Sequence, residues 1–141
     1  MELEALYTLA ENETVTVCEK RLEYSKCFSV MDCDGDCSIA IDGSQFNTVA
    51  EEKAALAHDL GHCMTGSFYN RYSPYDIKSR HERRASKKAA YLLVPLDELA
   101  DAVQSPWNSV YDLSERFGVP EGFMRKTLEI YENELSELVR Q

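Results

Sequence analysis

The sequence lacks any apolar run approaching the roughly 20 residues of a membrane span. It also lacks the basic start and apolar stretch of a secretory signal, because it opens with Met1-Glu2-Leu3-Glu4. Basic residues are scarce, since 15 Lys and Arg against 25 Asp and Glu give a formal charge of −10. A broad nucleic-acid surface would need clustered Lys and Arg. We therefore predict a cytoplasmic protein with no membrane contact and no direct nucleic-acid contact.

Closely spaced cysteine pairs are also missing. The chain has no CxxC motif, so its cysteine spacings match neither a zinc knuckle nor a zinc ribbon. An odd number of cysteines without a secretory signal does not indicate a disulfide framework. We therefore predict reduced, structural thiols at all five positions: Cys18, Cys27, Cys33, Cys37 and Cys63.

The length of 141 residues suits one domain, 1–141, and 44% hydrophobic residues suffice for a core. After a short helical pattern at the start, strand patterns precede the remaining helical patterns, which predicts an α+β fold. Residues 1–95 would hold a small antiparallel sheet and the helices of the site, and 96–141 would form a C-terminal helical part. The predicted helices are 1–11, 50–65, 81–93, 96–103, 107–117 and 120–139, with a strand near 14–18 and a loop at 66–80.

A β-hairpin is predicted over residues 27–41. Two strand-like runs flank Asp32-Cys33-Asp34-Gly35-Asp36, and a Gly beside Asp permits the positive φ of a tight turn. The alternating aspartates also resemble the start of a calcium-binding EF-hand loop. That motif requires Gly at its sixth position and Glu at its twelfth, and this loop has neither. An ordinary acidic turn is the favoured interpretation.

The sharpest chemical pattern is His58-Asp59-Leu60-Gly61-His62. Residues four apart share one face of a helix, so His58 and His62 can offer two imidazoles to one zinc ion. In an H-E-x-x-H enzyme the residue after the first His is the general base, a position held here by Asp59. Such a pair also arises by chance among packed or exposed side chains.

A third ligand is sought on the next predicted helix. Glu82 is its sole acid and lies on the stripe that carries Ala85, Ala89 and Leu92. A carboxylate turned inward needs a partner or a metal. Glu82 is therefore predicted either to bind the zinc ion or to pair with a neighbouring arginine.

The stretch from Glu51 to Pro95, with GDCSIAID upstream and ERFGVPEGFM downstream, resembles the ImmA/IrrE family of zinc metallopeptidases. The resemblance is closest to short members carried by phages and mobile elements of Gram-positive bacteria. It implies a small antiparallel sheet on a helical, zincin-like core. It also implies zinc held by His58, His62 and Glu82, and cleavage of a helix-turn-helix repressor as the activity.

Asp59 departs from the family pattern, which has Glu at this position. Its carboxylate sits about 1.5 Å further back, one carbon–carbon bond, and misplacing a catalytic group by ~1 Å can cost about 10²-fold in rate. The departure leaves three explanations: a weakened natural zinc endopeptidase, a catalytically silent zinc-binding module that binds the repressor without cutting it, or a substitution introduced to abolish activity. Stabilisation of an oxyanion, or contact with substrate, is a further candidate role for Tyr69, Tyr72 and His81.

Two charged segments of the sequence each allow more than one interpretation. Residues 78–88 hold six of the fifteen basic residues, which form either a docking patch for an acidic partner or a solvated helix face.

Residues 113–129 have the sequence pattern of a DNA-binding helix-turn-helix. From Asp101 onward, however, eight acids and four bases give a net charge of 4 − 8 = −4, which repels phosphate. We expect these helices to cap the core or to grip the substrate.

Overall fold

The computed structural model describes residues 1–68 and 72–140. Its helices and small sheet confirm the predicted α+β class, and none of the described helices combines the length and apolarity needed to cross a membrane. The elements are α1 (Leu3–Asn12), β1 (Thr16–Glu19), β2 (Cys27–Met31), β3 (Cys37–Ile41), a 3-10 turn (Gly43–Gln45), α2 (Val49–Thr65), α3 (Tyr75–Leu93), α4 (Leu96–Val103), α5 (Val110–Phe117), α6 (Glu121–Ile130) and α7 (Glu132–Arg140).

The sheet is mixed and has the strand order β1-β3-β2. Strands β2 and β3 form the predicted antiparallel hairpin, but β1 runs parallel to β3, with Val17 opposite Ile39. The expectation of a purely antiparallel sheet is therefore wrong. Strand β3 is the most buried strand and takes the centre, which leaves its second edge for β1; the direction of that pairing depends on how segments distant in sequence meet.

The hairpin turn is held by one carboxylate. Asp32 Oδ1 accepts hydrogen bonds from the backbone N–H groups of Asp34, at 2.9 Å, and Asp36, at 3.0 Å. Gly35 has φ +87°, which an L side chain rarely adopts. These contacts are those of a tight acidic turn that needs no ion to keep its shape.

Helix α2 has well-defined ends. The Thr48 hydroxyl accepts a hydrogen bond from the backbone N–H of Glu51, and Gly66 closes the helix in the left-handed region at φ +65°. Helix α3 begins at Tyr75, earlier than the sequence predicts, so residues 75–80 are helical and not loop. Pro74, at φ −58°, supplies the pre-set backbone of a helix start, and the polar residues after it stay largely exposed.

The predicted C-terminal helix is divided at Tyr131. This residue leaves helical geometry at φ −96° and ψ 6°, and its side chain is completely buried. A single straight helix over 120–139 is therefore wrong. The change of direction lets α7 return to α4 while the Tyr131 ring enters the core.

Helix α2 lies at the centre of the molecule and packs against α1, α3 and the sheet. A disulfide joins Cys63 at its C-terminal end to Cys37 at the start of β3, with Cα atoms 5.8 Å apart. The prediction of reduced cysteines is therefore wrong for this pair, while Cys18, Cys27 and Cys33 are free thiols. The sequence separation of 26 residues gave no sign that the fold brings the two cysteines together.

Candidate metal centre

Three donor groups from two helices converge on one point. His58 and His62 lie one turn apart on α2, and Glu82 faces both from α3. The Glu82 carboxylate lies 2.9 Å from His58 Nε2 through Oε2, and 3.3 Å from His62 Nε2 through Oε1. One ligand atom from each residue lies within 4.8 Å of the others. The structure thus brings together the three residues that the sequence singled out.

The close approach of α2 and α3 depends on Gly61. A Cβ atom at this position would lie 2.4 Å from the Ala85 carbonyl oxygen, so only glycine fits against that backbone. Ala85 is itself fully buried and lies one turn after Glu82 on α3. The contact between Gly61 and Ala85 therefore sets how near Glu82 can come to the histidines.

His62 is oriented by the chain that follows α2. Its Nδ1 lies within hydrogen-bonding distance of the Ser67 carbonyl oxygen, just beyond the left-handed Gly66. When Nδ1–H donates to that carbonyl, Nε2 keeps its lone pair and faces Glu82. The Phe68 ring packs on the imidazole with its centroid 5.8 Å away. Such outer contacts are typical of a histidine that binds a metal.

The site opens into a cavity of about 540 Å³ between α2 and β2. The His62 side chain is 9% exposed, whereas the His58 and Glu82 side chains are 33% and 41% exposed. One side of the cluster is thus anchored in the protein and the other faces solvent. Strand β2 is an edge of the sheet and contributes Cys27, Phe28 and Ser29 to the cavity.

The donor set fits a divalent metal. Two imidazole nitrogens and one carboxylate oxygen are the protein ligands of a catalytic zinc site, which keeps another position open. The exposed side of His58 and Glu82 provides room for that position. His58, His62 and Glu82 are therefore the residues that would hold the ion.

Asp59 lines the same cavity but is tied to the sheet. Its Oδ1 accepts a hydrogen bond from Ser29 Oγ at 3.1 Å, and its side chain is buried. Burial and, second, the charge of the Asp59 carboxylate raise the pKa of the Cys27 thiol above its usual range, so this thiol stays neutral. The carboxylate beside the histidine pair is thus held to β2 by Ser29.

Three further residues were predicted near the site: Tyr69, Tyr72 and His81. Tyr69 lies outside the described residues. Tyr72 is exposed and His81 is half-buried, and neither belongs to the described residues that line the cavity. Sequence reasoning did not find Ser29 or the Ser67 carbonyl. Side chains alternate between the two faces of β2, so Ser29 lies on the same face as Cys27, and this alternation could have indicated Ser29.

Comparison with known families supplies one match. The family model Peptidase_M78, described as the IrrE N-terminal-like domain, matches residues 39–129. That range runs from β3 to α6 and includes all three donor residues. No curated protein and no solved structure gave a match.

Proposed function

Because the chain belongs to the IrrE N-terminal-like family of metallopeptidases, we propose that it is a zinc-dependent endopeptidase that cleaves a helix-turn-helix transcriptional repressor of a phage or mobile element. The observation that carries this proposal is the convergence of two imidazole Nε2 atoms and one carboxylate within 4.8 Å. The donor set of two histidines and one glutamate favours zinc over calcium or magnesium, which prefer oxygen ligands.

The division of labour follows from the positions of the side chains. Bound zinc would supply a Lewis acid that activates water and polarises a peptide carbonyl. Asp59, whose carboxylate faces the same cavity, would accept a proton from the attacking water and return it to the leaving amine. Ser29 holds that carboxylate in place by its hydrogen bond. His62 is kept in one orientation by the Ser67 carbonyl.

An extended substrate has a place to lie along β2. Within the described residues the outer edge of this strand pairs with no other strand, and the strand borders the cavity that contains the donor cluster. Backbone groups on such an edge can pair with an added peptide strand. A peptide bound in this way would pass beside His58 and Glu82, the two exposed members of the cluster.

The test is incubation of the purified chain with the repressor encoded beside its gene, followed by electrophoresis and mass spectrometry. We expect defined fragments that disappear with a zinc chelator and return when zinc is restored. An intact repressor that nevertheless binds the chain would favour the alternative function, a zinc-binding module that does not cut. If the repressor is neither cut nor bound, the proposal is wrong.

The alternative has a specific observation in its favour, the short side chain at position 59. We predict that Asp59→Glu raises the rate of repressor cleavage at least tenfold. The added methylene carries the carboxylate about 1.5 Å further into the cavity. A displacement of a catalytic group by ~1 Å can change the reaction rate about 10²-fold. The measurement is kcat/KM for the two proteins at equal zinc content.

Asp59→Asn is the matched control, because it keeps the size of the side chain and removes its basicity. It should lower cleavage while zinc content stays near one equivalent, since Asp59 is not among the three donors. Equal turnover by wild type and Asp59→Glu would contradict the claim that the short Asp59 side chain limits the rate of cleavage. Gain of cleavage only in Asp59→Glu would identify the natural chain as the silent module.

A further inference from the structure

A second cavity, of about 480 Å³, lies between α3 and α6. Among the residues that the structure describes, three cationic side chains line it: Arg83 and Lys87 from α3, and Lys126 from α6. We refer to it as the cationic groove. Glu82 borders both this groove and the cavity of the metal centre, so the two cavities adjoin at this residue.

The cations of the groove outnumber the carboxylates among the described residues that line it. Arg83, Lys87 and Lys126 are exposed, and within residues 1–68 and 72–140 none of them forms an ion pair. Lys87 instead packs over the Tyr91 ring, with Nζ 5.9 Å from the centroid. One further carboxylate, Glu129, lines the groove on the α6 side. With Glu82, the described lining thus holds three cations and two carboxylates, a net charge of 3 − 2 = +1 in a chain whose formal charge is −10.

We propose that the cationic groove binds an acidic segment of the protein substrate, next to the bond that is cleaved. This inference rests on the proposed function, because it takes the substrate to be a protein. Charge complementarity carries it, since Arg83, Lys87 and Lys126 outnumber the two carboxylates of the groove and can attract carboxylates of a partner to an otherwise acidic molecule. The groove thereby contributes to the choice of substrate and to the register of the bound chain.

A peptide fits this groove better than a nucleic acid does. A phosphate backbone needs positive charge along an extended track. Here the positive charge covers one short groove, interrupted by Glu129, and the surrounding protein is strongly acidic. A short run of Asp or Glu side chains can reach the three cations without bringing a long polyanion against the acidic surface.

The experiment measures binding, not cleavage. A fluorescein-labelled peptide of alternating Glu and Gly is titrated with the chain at low ionic strength, and its anisotropy gives Kd. A peptide with Gln in place of Glu is the uncharged reference. We expect the double variant Lys87→Glu/Lys126→Glu to bind the acidic peptide at least tenfold more weakly, because two attractions become repulsions. Glu129→Gln should tighten binding about two- to threefold.

The matched control is Arg84→Glu/Arg125→Glu, which makes the same change in charge on the same two helices outside the groove. It should stay within about twofold of wild type. An equal loss in this control would overturn the proposal, because it would show attraction by overall charge alone. Equally tight binding of a single-stranded oligonucleotide, lost in the same groove variant, would also overturn it and indicate a general polyanion site.

The two proposals can fail separately. Repressor cleavage without selective binding of the acidic peptide would reject the groove and keep the peptidase. Selective binding without repressor cleavage would reject the peptidase activity, while the groove would still stand as a site for acidic peptide segments.

Discussion

Replacing Glu82 with Gln should weaken zinc binding by more than 100-fold and leave no detectable cleavage of substrate. The substitution keeps the shape of the side chain but turns an anionic ligand into a neutral amide. Two imidazoles on one helix then remain, where a catalytic site needs a third ligand. Loss of an outer-shell partner alone typically costs 10- to 100-fold in metal affinity, so loss of a direct ligand should cost more.

Zinc content after dialysis, measured by mass spectrometry, and competition with a chromophoric chelator test this expectation. Glu137→Gln on α7 is a suitable control, because it removes the same charge from an exposed position. His62→Ala should lose zinc equally and also lower the free energy of unfolding, since the ring packs on Phe68 and contacts the Ser67 carbonyl. A Glu82→Gln protein that keeps one equivalent of zinc at wild-type affinity would contradict the assignment of this ligand.

Gly61→Ala should have the second-largest effect, although residue 61 carries no side chain that could bind a metal. The new Cβ would lie 2.4 Å from the Ala85 carbonyl oxygen, so the two helices must move apart. Overpacking of this kind costs about 1–3 kcal/mol of unfolding free energy. The same movement carries Glu82 away from the histidines, so zinc affinity should fall at least tenfold.

Gly122→Ala provides the control for this substitution. Gly122 lies in the first turn of α6, and a Cβ there meets nothing within 4 Å. Exchange of Gly for Ala in an open helical position should be neutral or stabilise by up to about 1 kcal/mol. Chemical denaturation with and without zinc measures both effects. If Gly61→Ala is as stable as wild type and binds zinc equally well, the interhelical contact does not set the geometry of the site.

The donor cluster could be predicted from the sequence because its three residues lie in two periodic helical patterns. The spacing of His58 and His62 requires only a regular helix, and Glu82 is the sole acid on the apolar stripe of the next one. The contact with Ser67 could not be predicted from the sequence, because its backbone carbonyl makes the contact. Every residue has such a carbonyl, so the residue type gives no indication of it. The contact between Gly61 and Ala85 depends on how two helices cross, which is a long-range property of the fold.

The sheet illustrates the same division between local and distant information. The hairpin follows from an Asp-Gly turn between two short apolar runs, and this information is local. The parallel pairing of β1 with β3 and the joining of Cys37 to Cys63 depend on how segments separated in sequence meet. The start of α3 at Tyr75 was missed because its first turns are polar and exposed, so no periodicity marked them.

The bond between Cys37 and Cys63 places both histidines inside a covalently closed ring of the chain. Closing a loop of this size restricts the unfolded ensemble by about 3–4 kcal/mol in the chain-entropy account. It also means that a single cut between residues 37 and 63 would not separate the two pieces. A molecule nicked there would migrate as one species on a gel until a thiol reagent opened the ring.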